Sequence, residues 1–250
     1  MCILKIIMIH DPENYNDEVR EAEKIERARI LSSFFYSGIF VCILWIVQFI
    51  QYAFETDLSS FGILPRKISG LSGILTSPLI HADFSHLISN SLTIFLLLFG
   101  ILYFYRSSVI KVFFIIYILD GLLVWIFARQ SFHIGASGLV YGFAGFLFFS
   151  GVFRKDKRSI ALSLLIVFLY GGMIWGILPT DPQISFESHF FGAVIGLICA
   201  FIFRKNDPPE KYEWEEENDD DYDKDYDDGK EPEDAEIDDD AEPDDFRRNY

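Results

Sequence analysis

The sequence predicts an all-α membrane protein, a bundle of six transmembrane helices with an interfacial first external loop. Three observations point there. The chain is 51% hydrophobic and 17% aromatic over 250 residues. Its apolar residues fall in runs long enough to cross a bilayer, one after another. Its formal net charge of −16 is confined to one end, where Asp207 to Tyr250 carry 23 Asp/Glu against 5 Lys/Arg, a local net of −18 that leaves +2 for the rest. The acidity therefore belongs to a tail and says nothing about the body. Three segments follow: a cytoplasmic N-terminal segment over 1–29, a six-span body over 30–205, and an acidic cytoplasmic tail over 206–250.

Met1 to His10 is apolar but short, lacks a small-residue cleavage site and runs into a charged stretch. It does not read as a signal peptide. Residues 17–30 read as a polar helix leading into the first apolar run, Ile30 to Phe54, which is long enough to span a hydrocarbon core of roughly 30 Å. Glu55 to Ser77 is too broken by Gly62, Pro65, Gly70 and Gly73 for a spanning helix and too apolar for a solvated loop. It is expected to be a partly embedded hairpin in the interface. Five further spans are expected at about 84–105, 109–128, 137–153, 159–178 and 188–203.

Basic residues orient the bundle. Arg20, Lys24, Arg27, Arg29, Arg106, Lys111, Arg154, Lys155, Lys157, Arg158, Arg204 and Lys205 fall on one side, and Arg66, Lys67 and Arg129 on the other. The positive-inside rule then makes both termini cytoplasmic, as expected of a bacterial inner-membrane protein. The tail has almost no aliphatic residues and cannot bury enough surface to fold, so it is expected to be disordered. Cys2, Cys42 and Cys199 are odd in number and imply no disulfide framework.

Polar side chains at membrane depth are costly and usually functional. Counted outward from Arg106, Arg154 and Arg204, Asn90 lies 16 residues away, Ser137 17 and His189 15. At about 1.5 Å per residue these are heights of roughly 24, 25 and 22 Å, one common level, with His86 one turn above Asn90. Gly138, Gly142 and Gly145 on the fourth span, and Gly192, Gly196 and Ala200 on the sixth, have the small-residue spacing that lets helices approach closely in lipid. Ser137 and His189 are thus expected to meet. An imidazole can take the proton of a serine hydroxyl and so create a nucleophile. His86, Asn90 and the backbone N–H of Ser137 could stabilise the resulting oxyanion. Tyr141, one turn from Ser137, is placed to orient the His189 ring. No Asp or Glu is expected at this level, which makes the arrangement a dyad.

These residues resemble a known family. Gly135-Ala136-Ser137-Gly138 with Tyr141, His189 followed by Gly192 and Gly196, and His81, His86 and Asn90 in the pattern H-x(4)-H-x(3)-N are similar to the rhomboid intramembrane serine proteases. The resemblance covers about residues 30–204. It implies Ser137 as nucleophile, His189 as general base, His86 and Asn90 as oxyanion donors, and single-span transmembrane proteins cleaved near the outer face as substrates. The Trp-Arg pair common in the family's first external loop is absent, with Arg66-Lys67 and Gly70-Leu71 in its neighbourhood. The partners expected are such substrates and membrane lipid, with no nucleic acid. No cofactor is expected, and no metal, since His81 and His86 have no Cys or carboxylate ligand at their depth. The competing class is a catalytically silent rhomboid-like binding or quality-control factor. Such relatives lose the serine or the histidine, and this chain keeps both. A transporter would need polar groups along a path across the core, which the single polar level does not supply.

Overall fold

A computed structural model describes residues 12–181 and 184–208. The opening segment and the tail beyond Pro208 lie outside the described residues. Among the described residues the long helices are six: α1 (Pro12–Ala53), α2 (Phe84–Phe104), α3 (Val109–Phe127), α4 (Ser137–Arg154), α5 (Lys157–Tyr170) and α6 (Phe186–Ile202). Among the described residues there is no strand, only an isolated antiparallel bridge between Ile63 and His133. Five of the helices are long and apolar enough to cross a membrane, α5 counted with its 3-10 extension, and α6 is apolar but 17 residues long. Large apolar side chains cover the outside, with Phe54 74%, Phe168 85% and Trp175 69% exposed. Such a surface suits hydrocarbon and not water. The protein is an integral membrane protein.

The polar segment expected before the first span is the start of α1 itself, one unbroken helix of 42 residues. Local chemistry starts the others. Asp83 caps α2 by accepting from the His86 amide at 2.8 Å, and Asp156 caps α5 by accepting from the Ser159 amide at 2.9 Å. These carboxylates satisfy amides that have no partner inside the helix. The α4–α5 turn is closed by Lys155 in the left-handed region at φ 60°.

α4 is the hub. Half of it is enclosed by protein, against 11% of the α5 region. It packs chiefly on α6, then on α5 and α2, and α1 leans on α2. Leu139, Phe143, Phe146 and Leu147 of α4 meet Ile94, Leu97 and Ile101 of α2, Val112 and Ile116 of α3, and Ile195 and Cys199 of α6 in one buried cluster. Glycines set the α4–α6 distance. A Cβ at Gly192 would fall on the Gly138 carbonyl, and one at Gly196 on the Gly142 carbonyl and 2.8 Å from the Phe146 amide. Backbone therefore touches backbone along the crossing. Gly151, which the spacing does not single out, is a close contact of α4 with Ser159 and Ser163 of α5.

Two expectations change. The fifth apolar run is not one helix over 159–178, because α5 ends at Tyr170 and a 3-10 stretch continues over Gly171–Ile177. The body also runs past 205. Asp207 accepts from the Ser107 amide at 2.6 Å and the Ser108 hydroxyl at 2.7 Å, and Arg154 donates to the carbonyls of Phe203, Asn206 and Asp207.

The segment between α1 and α2 is a chain of short turns, Ser59–Phe61, Ile68–Gly70, Gly73–Thr76 and Ser77–Leu79. It is fastened to the end of α3. The Arg66 amide donates to the Trp125 carbonyl at 2.9 Å, its guanidinium to the carbonyls of Ile126 and Ala128 at 3.1 and 2.7 Å, and the Trp125 indole to the Lys67 carbonyl at 2.9 Å. Arg66 thus satisfies the open carbonyls at a helix C-terminus, a favourable place for a cation.

Candidate active site

A cavity of about 570 Å³ opens at the end of the bundle opposite Arg106, Arg154 and Arg204, and its lining includes Ser137, His189, His86, Asn90 and Tyr141. Ser137 is the first residue of α4, so its amide lies in the turn whose N–H groups lack helical acceptors. The turn before it depends on Gly135, at φ +107° with the His86 ring against it, since a Cβ there would come within 2.7 Å of that ring. A side chain at this position would be strained and would also push His86 away. The next glycine, Gly138, leaves room for the Asp120 carboxylate and the Ser188 hydroxyl, on which a Cβ would fall.

His189 sits in the first turn of α6, 7% exposed. Its Nδ1 lies 2.8 Å from the Gly176 carbonyl oxygen. A carbonyl can only accept, so Nδ1 carries the proton and Nε2 is the basic nitrogen. The Tyr141 ring stacks on the imidazole at 4.1 Å between centroids and 11° between planes, and its hydroxyl donates to the Met173 carbonyl at 2.7 Å. The 3-10 stretch after α5 thus fixes both rings through its carbonyls. Neither the Ser137 hydroxyl nor His189 Nε2 has a hydrogen bond among the described residues.

His86 and Asn90 share the α2 face of the cavity. The Asn90 amide group donates to the His86 carbonyl at 3.2 Å, which uses one of its two N–H bonds. His81 is 1% exposed and stays out of the cavity. Its Nε2 accepts from the Ala136 amide at 3.4 Å and its ring meets that of His86 edge to face at 5.0 Å. Burial, reinforced by the charge of neighbouring His86, pushes its pKa down from 6.5 to about 4, which suits a ring that must remain an acceptor. Among the described residues no group of three or more His, Cys, Asp or Glu has the geometry of a metal site.

The expectation that no carboxylate stands near this level needs correction. Asp120 of α3 accepts from the Ser188 hydroxyl at 2.8 Å, beside His189, and Glu187 is buried in the first turn of α6, accepting from the Arg129 amide at 3.2 Å with the Arg129 guanidinium 3.7 Å away. Neither carboxylate is bonded to His189, whose Nδ1 is held by backbone. The depth count along one helix could not find Asp120, because its partner lies 68 residues away in sequence. His133, four residues before Ser137, was also missed as a site residue. It lines the same cavity and bonds to Ser185.

Known proteins resemble the chain. An uncharacterized protein of Mycobacterium bovis and one of Mycobacterium tuberculosis are each 34% identical over 172 residues, 65% of this chain and 72% of the relative. A protein of Bacillus subtilis, whose name assigns it provisionally to the rhomboid proteases, is 26% identical over 136 residues, 52% of this chain and 65% of that protein. The sequence profile of the Rhomboid domain matches residues 66–206, which takes in α2 to α6, the cavity and both glycine-lined helices. The chain belongs to the rhomboid family.

Proposed function

We propose that the protein is an intramembrane serine endopeptidase that cleaves transmembrane proteins near the outer membrane face through a Ser137–His189 dyad. The observation that carries this reading is the setting of His189. A backbone carbonyl holds the proton on Nδ1 and Tyr141 clamps the ring face, which leaves Nε2 as a base in the cavity that Ser137 also lines. In the proposed reaction Nε2 takes the Ser137 proton as Oγ attacks the scissile carbonyl. The oxyanion accepts from the Ser137 amide, the His86 ring and the remaining Asn90 N–H. The imidazolium returns its proton to the leaving amine, and water, activated by the same nitrogen, releases the acyl group from Ser137.

Six spans, both termini in the cytoplasm and the Arg66 segment at the outer interface complete the reading. The distribution of Lys and Arg supports that orientation. At the outer level water can reach the cavity, which hydrolysis requires. A silent member of the family would not need a histidine held in one tautomer beside a serine at a helix start.

The test is cleavage of a generic single-span substrate by the purified protein in detergent. Ser137→Ala and His189→Ala each abolish cleavage with the melting curve little changed. The double variant is no worse than either single, because nucleophile and base act as a unit. Cleavage by Ser137→Ala at the parent rate would rule the mechanism out.

A further inference from the structure

We infer that His133 is a positioning residue, a latch that fixes the start of α4 against the start of α6 and so sets the distance between Ser137 and His189. The inference rests on the dyad reading. His133 stands four residues before Ser137 and Ser185 four residues before His189. His133 Nδ1 and the Ser185 hydroxyl are 2.6 Å apart. This hydrogen bond joins the two loops from which nucleophile and base are launched, at matching positions one turn before each.

The direction of that bond follows from its surroundings. His133 Nε2 lies 3.1 Å from the Arg129 carbonyl, which can only accept, so Nε2 carries the proton. Burial lowers the pKa of this loop histidine and keeps the ring neutral. Nδ1 is then the acceptor and Ser185 donates. Ser185 is the residue that caps α6, a position where a serine oxygen ordinarily accepts from the helix's own amides, yet it makes no such bond. Its hydroxyl is turned across to the other loop instead. The rest of the latch is fixed on both sides. The His133 backbone pairs with Ile63 at 2.9 and 3.0 Å, and the His189 amide donates to the Ser185 carbonyl at 3.3 Å. With both ring nitrogens engaged, His133 has none left for acid or base work in the cavity.

Glycine contacts hold α4 and α6 together along their length. At the open end side chains join the loops instead, Arg129 to the Ile184 carbonyl and Glu187, and His133 to Ser185 at the residues nearest the dyad. Loosening the latch should therefore shift Ser137 relative to His189 without unpacking the bundle. A shift near 1 Å can cost on the order of a hundredfold in rate.

The test uses the full chain in detergent with three readouts: kcat and KM on a transmembrane substrate, the rate at which a fluorophosphonate labels Ser137, and a melting curve. His133→Phe, which keeps the ring but neither nitrogen, and Ser185→Ala each lower kcat and labelling by about tenfold to a hundredfold. KM stays within about twofold, and the double variant is no worse than the stronger single. His133→Asn, whose amide oxygen can stand where Nδ1 stood, recovers most of the rate. If His133→Phe does not fold, Ser185→Ala and His133→Asn carry the same comparison. Parent-level labelling in Ser185→Ala, or losses that simply multiply in the double variant, would overturn the latch alone. Labelling that Ser137→Ala leaves unchanged would overturn the dyad reading and the latch with it.

Discussion

The Gly176 carbonyl chooses the basic nitrogen of His189, and the Ala136 amide makes the converse demand on His81. An imidazole that accepts an amide proton must be neutral, because a protonated ring would turn a donor toward a donor. Folded His81 keeps its neutral form down to about pH 4, whereas the same group in an unfolded chain titrates near 6.5. Between those values the unfolded chain binds a proton that the folded chain does not, so stability falls as pH drops through that window. His81→Gln keeps an amide oxygen to accept from Ala136 but cannot titrate. It should melt somewhat lower than the parent at pH 7.5 and lose less than the parent on going to pH 4.5. Melting curves in one detergent at the two pH values check this. Equal losses in both proteins would show that His81 does not contribute.

At the scale of the helices, the crossing of α4 and α6 decides whether there is a site at all. Gly196→Leu forces a side chain onto the Gly142 carbonyl and the Phe146 amide, so the helices must part. Packing is the main attraction between helices in lipid, so both the melting temperature and at least 90% of the cleavage rate should be lost, as about a hundredfold cost per 1 Å of misplacement implies. Gly38→Leu is the proper control, since nothing lies within 4 Å of a Cβ there, whereas Gly151 is itself a close contact with α5. A Gly196→Leu protein that melts and cleaves like Gly38→Leu would remove the crossing from the argument. This crossing was legible in the sequence because small residues every fourth position have few other uses in an apolar helix. The ends of α2, α3 and α4 were legible because hydropathy changes sharply there. The end of α5 was not, since Met173, Ile174 and Trp175 continue the apolar run while the backbone changes its hydrogen-bond pattern at Gly171. Hydropathy does not sense that change, and it is this irregular stretch that holds Tyr141 and His189.

Across the whole molecule, the two ends of the bundle are closed by different means. At the cavity end the Arg66 segment is fastened to the end of α3 through backbone carbonyls, and a side-chain bond between His133 and Ser185 joins the loops before α4 and α6. At the other end Arg154 stacks over Tyr105 at 4.7 Å and reaches three carbonyls after α6, while Asp207 accepts from Ser107 and Ser108 in the turn before α3. Asp207 adopts φ 52°, which an aspartate tolerates better than most residues. Charge composition alone assigned Asp207 to the acidic tail, and only its position beside the α2–α3 turn reveals it as part of the fold. The consequence is a sharp boundary for truncation. A chain ending at Pro208 should keep the parent's melting temperature and cleavage rate, since every bond just named survives. Ending at Asn206 deletes the two Asp207 bonds to Ser107 and Ser108 and one acceptor of Arg154, a loss on the order of 1–2 kcal/mol. Asp207→Ala in the full chain should reproduce the carboxylate's share of that loss while keeping the acidic residues beyond it. Melting curves and initial rates for the three proteins in one detergent decide the matter. If the chain ending at Pro208 melts as low as the one ending at Asn206, the stabilising contacts lie in the tail and not in the Asp207 bonds.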